Sequence, residues 1–145
     1  MGLSRKVPSI ESIDAPVEGE VIQLSEVKDE VFSSGTMGEG FAVKPANGKI
    51  VAPCDAEVIA VFETGHAIGL TTMAGAEVLI HVGIDTVMLK VQGFDTKVKA
   101  GDLVKKGDLL MDVDMDAVQK AGYDTTVMVI VTDPHNVDVS MPVLA

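Results

Sequence analysis

Glycine and proline cut this chain into runs too short for long helices. Fourteen glycines and six prolines are spread along 145 residues. The apolar residues between them are mostly Val, Ile and Leu, and such runs favour extended backbone. Glu20–Leu24, Gly40–Lys44, Glu57–Glu63, Ala67–Thr72, Glu77–Val82, Leu109–Val113 and Thr126–Val131 read as strands. Asp114–Ala121 alone reads as a helix, with Asp114 or Asp116 as its N-cap and Gly122 as its stop. The fold class that follows is all-β, an antiparallel β-sandwich of duplicated barrel-sandwich-like motifs with at most short helices. The duplication shows as a weak echo: Ala15-Pro-Val-Glu-Gly-Glu-Val-Ile22 resembles Ala52-Pro-Cys-Asp-Ala-Glu-Val-Ile59, 37 residues further on, so two related motifs are expected to pack face to face. In Val98-Lys-Ala-Gly-Asp-Leu-Val-Lys-Lys-Gly-Asp-Leu-Leu110, glycines supply the turns between short strands, a pattern of sandwich-like barrels.

A chain of this length, 47% hydrophobic, buries one core. Residues 1–13, with Ser4, Pro8, Ser9 and Ser12, read as a flexible N-terminal tail, and residues 14–145 as the single domain. No run approaches the roughly 18 apolar residues that cross a bilayer, and the start lacks the apolar centre of a signal peptide. A cytoplasmic protein without membrane insertion is expected. The single cysteine, Cys54, has no partner for a disulfide or a CxxC motif and reads as a small buried apolar residue. The formal charge of -11, from 22 acidic and 11 basic residues, would repel nucleic acid and anionic membranes. A partner's surface should be neutral or basic.

Chemistry falls to three histidines, His66, His81 and His135. In Glu77–Val82, strand alternation puts Val78, Ile80 and Val82 on one face and Glu77, Leu79 and His81 on the other. The β-branched face makes the better core, so His81 points outward. If Ala74-Gly75 is a two-residue hairpin turn, Ile68 faces His81 and His66 is its diagonal neighbour, about 7–8 Å away between Cα atoms. A shift of two residues leaves both rings on one face. Gly83 would let the backbone approach the His81 ring so that a carbonyl takes the Nδ1 proton, making Nε2 the nucleophile. His66 would then hydrogen-bond whatever Nε2 acquires, oriented by Thr64. Gly35-Thr-Met-Gly-Glu-Gly40 lacks the lysine and Ser/Thr of a nucleotide phosphate loop and reads as a loop or bulge. A phosphoryl group would therefore arrive from another protein rather than from bound ATP.

Three segments carry a family resemblance: Val51-Ala-Pro-Cys-Asp-Ala-Glu-Val-Ile59, Phe62-Glu-Thr-Gly-His-Ala-Ile-Gly69 and Val78-Leu-Ile-His-Val-Gly-Ile-Asp-Thr-Val87. Together they resemble the glucose-type enzyme IIA domain of the bacterial phosphoenolpyruvate-dependent sugar phosphotransferase system, over roughly residues 14 to 133. The resemblance implies that Nε2 of His81 accepts phosphate from HPr and passes it to a cysteine of an enzyme IIB domain during sugar uptake. It implies His66 as the second active-site histidine, with Thr64 behind it. It places Phe32, Phe62, Leu79 and Ile80 in or near an apolar docking surface, with Asp29 and Asp85 at its acidic rim. No cofactor is required, since the phosphate is carried covalently, although a zinc ion bridging His66 and His81 in a regulatory complex is compatible with the resemblance. The family pattern runs to a final strand beyond the region of Asn136, and its absence here would leave an open sheet edge.

Two rival readings remain. A zinc-dependent hydrolase of related β-architecture could use His66, His81 and Asp85 as ligands, but the chain has no HxH pair. A biotinyl or lipoyl carrier would need a modified lysine in a Met-Lys-Met or Asp-Lys-Ala turn, and neither occurs. His135, between Pro134 and Asn136, reads as a loop histidine.

Overall fold

A computed structural model describes residues 10–62, 66–84 and 93–142. Seven strands make the main sheet: β2 (Gly19–Gln23), β3 (Glu39–Pro45), β5 (Ala56–Val61), β6 (Ala67–Thr72), β7 (Glu77–Val82), β9 (Leu103–Val104) and β11 (Val127–Asp133). Their spatial order is β2-β3-β11-β7-β6-β5-β9, with every pairing antiparallel. A second, three-stranded antiparallel sheet holds β4 (Lys49–Val51), β10 (Leu109–Val113) and β8 (Phe94–Thr96) in the order β4-β10-β8. The expected antiparallel sandwich is the one found. One parallel pair is added, β1 (Ile10–Ser12) beside β12 (Asp138–Ser140). The tail boundary expected after residue 13 therefore falls earlier, because Ile10–Ser12 pair with β12 and Ile13 is buried in the core. A strand is present past Asn136, β12, and it pairs with β1 rather than with the main sheet.

The two faces of the main sheet are covered unequally. On one, Val58, Ile68, Leu70, Val78, Ile80, Val82, Val127 and Val129 pack with Ile50, Leu110 and Met111 of the second sheet. Burying each such side chain is worth about 1.5–3 kcal/mol, so this layer supplies most of the folding drive. On the other face, Ala42, Met128 and Ile130 meet Ile22, Leu24, Val27, Phe32 and Ile84 in a smaller cluster. Its cover is the segment between β2 and β3, a 3-10 turn at Leu24–Glu26 followed by helix α1 (Glu30–Ser33). Four residues are too few for a periodic apolar pattern, so α1 has no sequence signal beyond its cap, Asp29, whose carboxylate accepts the Val31 N–H at 2.9 Å. The expected helix near Asp114 is present as α2 (Met115–Lys120), and Asp114 caps it by accepting the Ala117 N–H at 3.0 Å.

The echoed segments meet, but edge to edge. The Asp14 N–H donates to the Pro53 carbonyl at 3.0 Å and the Val51 N–H donates to the Pro16 carbonyl at 2.7 Å. These two bonds exchange roles under the 37-residue offset. The strands that follow, β2 and β5, then enter the same sheet rather than facing each other across the core. Cys54, just after the second turn, is buried, and burial, followed by the charges of Glu11, Asp55 and Asp14, pushes its thiol up to about 12. It is an inert packing residue.

The β6–β7 turn differs from expectation by one residue. Thr72 and Ala76 close a loop of three residues, with the Gly75 N–H bonded to the Thr72 carbonyl at 2.9 Å and the Ala76 N–H to Thr72 Oγ1 at 3.0 Å. Ala67, not Ile68, therefore faces His81.

Gly38 and Gly40 let β3 approach β11. A Cβ on Gly40 would lie 2.0 Å from the Val129 carbonyl oxygen, so only hydrogen fits where β3 meets β11. Gly40→Ala must push these strands apart, and urea denaturation should register a loss of about 2–3 kcal/mol or failure to fold. An unchanged midpoint would contradict this packing.

Candidate functional site

β7 sets the geometry of the site. Its burial alternates, with Val78, Ile80 and Val82 inward and Glu77, Leu79 and His81 on the opposite face. On that face His81 lies between Ala67 of β6 and Met128 of β11. The small Ala67 side chain leaves room beside the ring. His66 directly precedes β6, and its carbonyl accepts the Val82 N–H at 2.8 Å. Regular alternation with this one-residue shift would send His66 and His81 to opposite faces. The strand, however, begins only at Ala67, and at the break the His66 side chain turns to the His81 face.

Four rings stand in a row. Phe62 meets His66 edge-on at 5.6 Å between centroids, His66 meets His81 at 4.7 Å with planes inclined by 73°, and His81 meets Phe32 at 4.9 Å. The ends of the row differ in exposure. Phe32, held by α1, is 8% exposed and closes the smaller core behind the His81 ring, whereas Phe62 is 44% exposed. Phe32 thus backs the site and Phe62 fronts it. Leu79 is half-buried between Gly69 and Ile130. Ile80 is a correction: at 1% exposure it lies in the main core on the inward face, so it cannot touch a docked partner. The alternation of β7 requires this, because Ile80 and His81 are neighbours in one strand. Asp29 is half-buried at the α1 cap. Thr64 and Asp85 lie outside the described residues. Val31, 57% exposed beside Phe32 on α1, is an apolar surface residue that the sequence did not single out, since α1 itself gave no signal.

The electrostatics favour neutral rings. His81 Nδ1 donates to the Gly83 carbonyl at 2.9 Å, a contact made possible by Gly83 in the left-handed region at φ 79°. A carbonyl only accepts, so the proton sits on Nδ1 and the Nε2 lone pair is available. Burial first, then the adjacent His66, pushes the His81 pKa down to about 4, against an upward pull from the Gly83 bond and Asp29. Burial also lowers His66, which is 4% exposed. Two imidazoles this close could lend two nitrogen ligands to a metal. Among the described residues no third His, Cys, Asp or Glu joins them, so a bridging zinc would need ligands from a partner or solvent.

The sequence pattern described as "phosphoenolpyruvate-dependent sugar phosphotransferase system, EIIA 1" matches residues 11–137. The chain is 50% identical over 125 residues to the PTS system beta-glucoside-specific EIIBCA component of Bacillus subtilis (strain 168), covering 86% of this chain and 20% of that protein. It is 44% identical over 135 residues to the PTS system glucose-specific EIIA component of Oceanobacillus iheyensis, covering 93% of this chain and 82% of the relative. It therefore spans about a fifth of the multidomain relative and most of the single-component one. Among solved structures, glucose permease IIA from Mycoplasma capricolum superposes with a TM-score of 0.76 at 38% identity, covering 82% of this chain and 77% of that one. Among the described residues no helix is long and apolar enough to cross a membrane. The chain belongs to the glucose-type enzyme IIA family, the phosphocarrier components of the phosphoenolpyruvate-dependent sugar phosphotransferase system.

Proposed function

We propose that this domain takes a phosphoryl group from phospho-HPr onto Nε2 of His81 and passes it to a cysteine thiolate of an enzyme IIB domain. The observation that carries the reading is the hydrogen bond from His81 Nδ1 to the Gly83 carbonyl, which leaves Nε2 as the free nucleophile. In loading, the donor's P–N bond breaks as the P–Nε2 bond forms, with donor nitrogen, phosphorus and Nε2 in line. In release, the P–Nε2 bond breaks as a P–S bond forms. Neither step needs a bound metal or nucleotide, only positioning and hydrogen bonds to the phosphoryl oxygens.

His66, with its ring 4.7 Å from that of His81, is the group we assign to the phosphoryl oxygens. Thr64 is the residue we assign to orient it. Phe62, Leu79 and Val31 offer apolar contact for a transient partner, and Asp29, with the overall charge of -11, favours a basic one. Relatives that carry this domain are named for β-glucosides, glucosamine and glucose. We accordingly assign sugar choice to other domains of the permease.

Incubation with phosphoenolpyruvate, enzyme I and HPr should label His81 alone through an acid-labile, alkali-stable linkage, and label surviving in His81→Ala would overturn the assignment. Phe62→Asp should slow loading while leaving the circular dichroism spectrum unchanged.

His66→Gln keeps a hydrogen-bond donor but cannot take up a proton as the P–N bond breaks. Rapid-quench assays should find release to enzyme IIB slowed more than loading from HPr. Equal effects on both steps would reject this division.

A pH dependence follows from the neutral rings. An imidazole kept neutral by the fold stabilises it above the unfolded pKa of about 6.5, and this stability drains away as pH falls towards about 4. The urea midpoint should therefore drop between pH 6.5 and 4 in the native protein and drop less in His81→Gln.

A further inference from the structure

Outside the His66 and His81 pair, a second group of donor side chains converges among the described residues. Glu77 opens β7, Asp133 closes β11, and His135 follows in the turn before β12. The β7–β11 ladder shifts register between Val131 and Asp133, so that Asp133, and not Thr132, faces Glu77. Two carboxylates directly opposite across a strand pair repel. The turn then brings a nitrogen to both: His135 Nε2 pairs with the Glu77 carboxylate and lies 3.3 Å from Asp133 Oδ2. The ligand atoms of the three side chains all lie within 4.8 Å of one another.

We propose that Glu77, Asp133 and His135 form a binding site for a divalent cation of the zinc class, held by one imidazole nitrogen and two carboxylate oxygens. One nitrogen with two oxygens suits zinc and its first-row neighbours better than calcium or magnesium, which take oxygen throughout. Zinc bonds of about 2.0–2.2 Å separate neighbouring corners of a tetrahedron by about 3.3–3.6 Å. The His135–Asp133 distance already lies at the short end of that range, so an ion needs Glu77 to draw back and must displace the Nε2 proton that the two carboxylates hold. Asp133 is held ready for this, because its Oδ1 accepts the His135 backbone N–H at 3.0 Å and leaves Oδ2 turned to the cluster. All three side chains are partly open to solvent, so an ion can enter without unfolding. Three protein ligands leave a fourth position for water or a side chain of another molecule. The cluster stands on the same face of β7 as His81 but four residues away, about 13 Å along the strand. The two histidine sites therefore cannot share one ion.

The three histidines of the chain can be followed separately in long-range 1H–15N spectra while zinc chloride is added to protein freed of metal with EDTA. The His135 Nε2 signal should shift and saturate. Glu77→Gln and Asp133→Asn should each raise the zinc concentration at its midpoint about tenfold or more. Neither should alter the zinc response of His66 or His81. Both substitutions keep the side-chain shape and remove one of two facing negative charges, so the fold is not at risk. A His135 signal that stays put up to millimolar zinc would overturn the site, and so would one that shifts with the same midpoint in both variants. In either case the three groups form an ion pair and nothing more.

Discussion

Strand β11 hydrogen-bonds to β3 along one edge and to β7 along the other, and Val127 to Val131 are buried on both faces. Val127 and Val129 enter the main core while Met128 and Ile130 enter the smaller one. One strand thus joins two halves of the sheet that have no other pairing between them among the described residues, β2-β3 on one side and β7-β6-β5-β9 on the other. It also fixes the level of β7, because Met128 faces His81 and Ile130 faces Leu79. The site inherits its position from this pairing. The smaller core, capped by α1 and Phe32, ends at the His81 ring, so His81 sits where the cover of the sheet stops.

That position decides the electrostatics. The ring is desolvated enough to stay neutral, while the exposed Phe62 marks the side open to a partner. In an acidic protein the proposed phosphoryl group would be repelled at long range and held by hydrogen bonds at short range. The acidic neighbour Asp29 spends its carboxylate on capping α1. This leaves a negative charge near the rim, where it suits the basic partner proposed above.

Much of this was legible in the chain. Glycine spacing and β-branched runs gave the bounds of β6, β7 and β10 as found, because each is a short apolar run with a clear stop at both ends. Strands β1, β4, β8, β9 and β12 were harder: two or three residues carry no period, and long-range pairing alone makes them extended. The outward parity of His81 was readable from Val78, Ile80 and Val82. The way His66 reaches it was not. A one-residue difference in the turn at 73–75 should have separated the rings, and the break before Ala67 brings them together again. Local pattern encodes parity within a strand, whereas register between strands depends on turn geometry. Ile80 marks the cost of carrying a docking role over by resemblance when alternation already placed the residue inside.

The reciprocal bonds between the two Ala-Pro turns have a further consequence. Asp14 donates to Pro53 and Val51 donates to Pro16, an exchange that maps onto itself when each residue is replaced by its counterpart in the echo. Contacts of this form arise where two copies of one motif meet about a twofold axis, residue i touching j while j touches i. The two bonds form a local clasp with approximate twofold symmetry within one polypeptide. Each turn is therefore fastened by the residue that precedes the other, and neither can shift without loosening its counterpart.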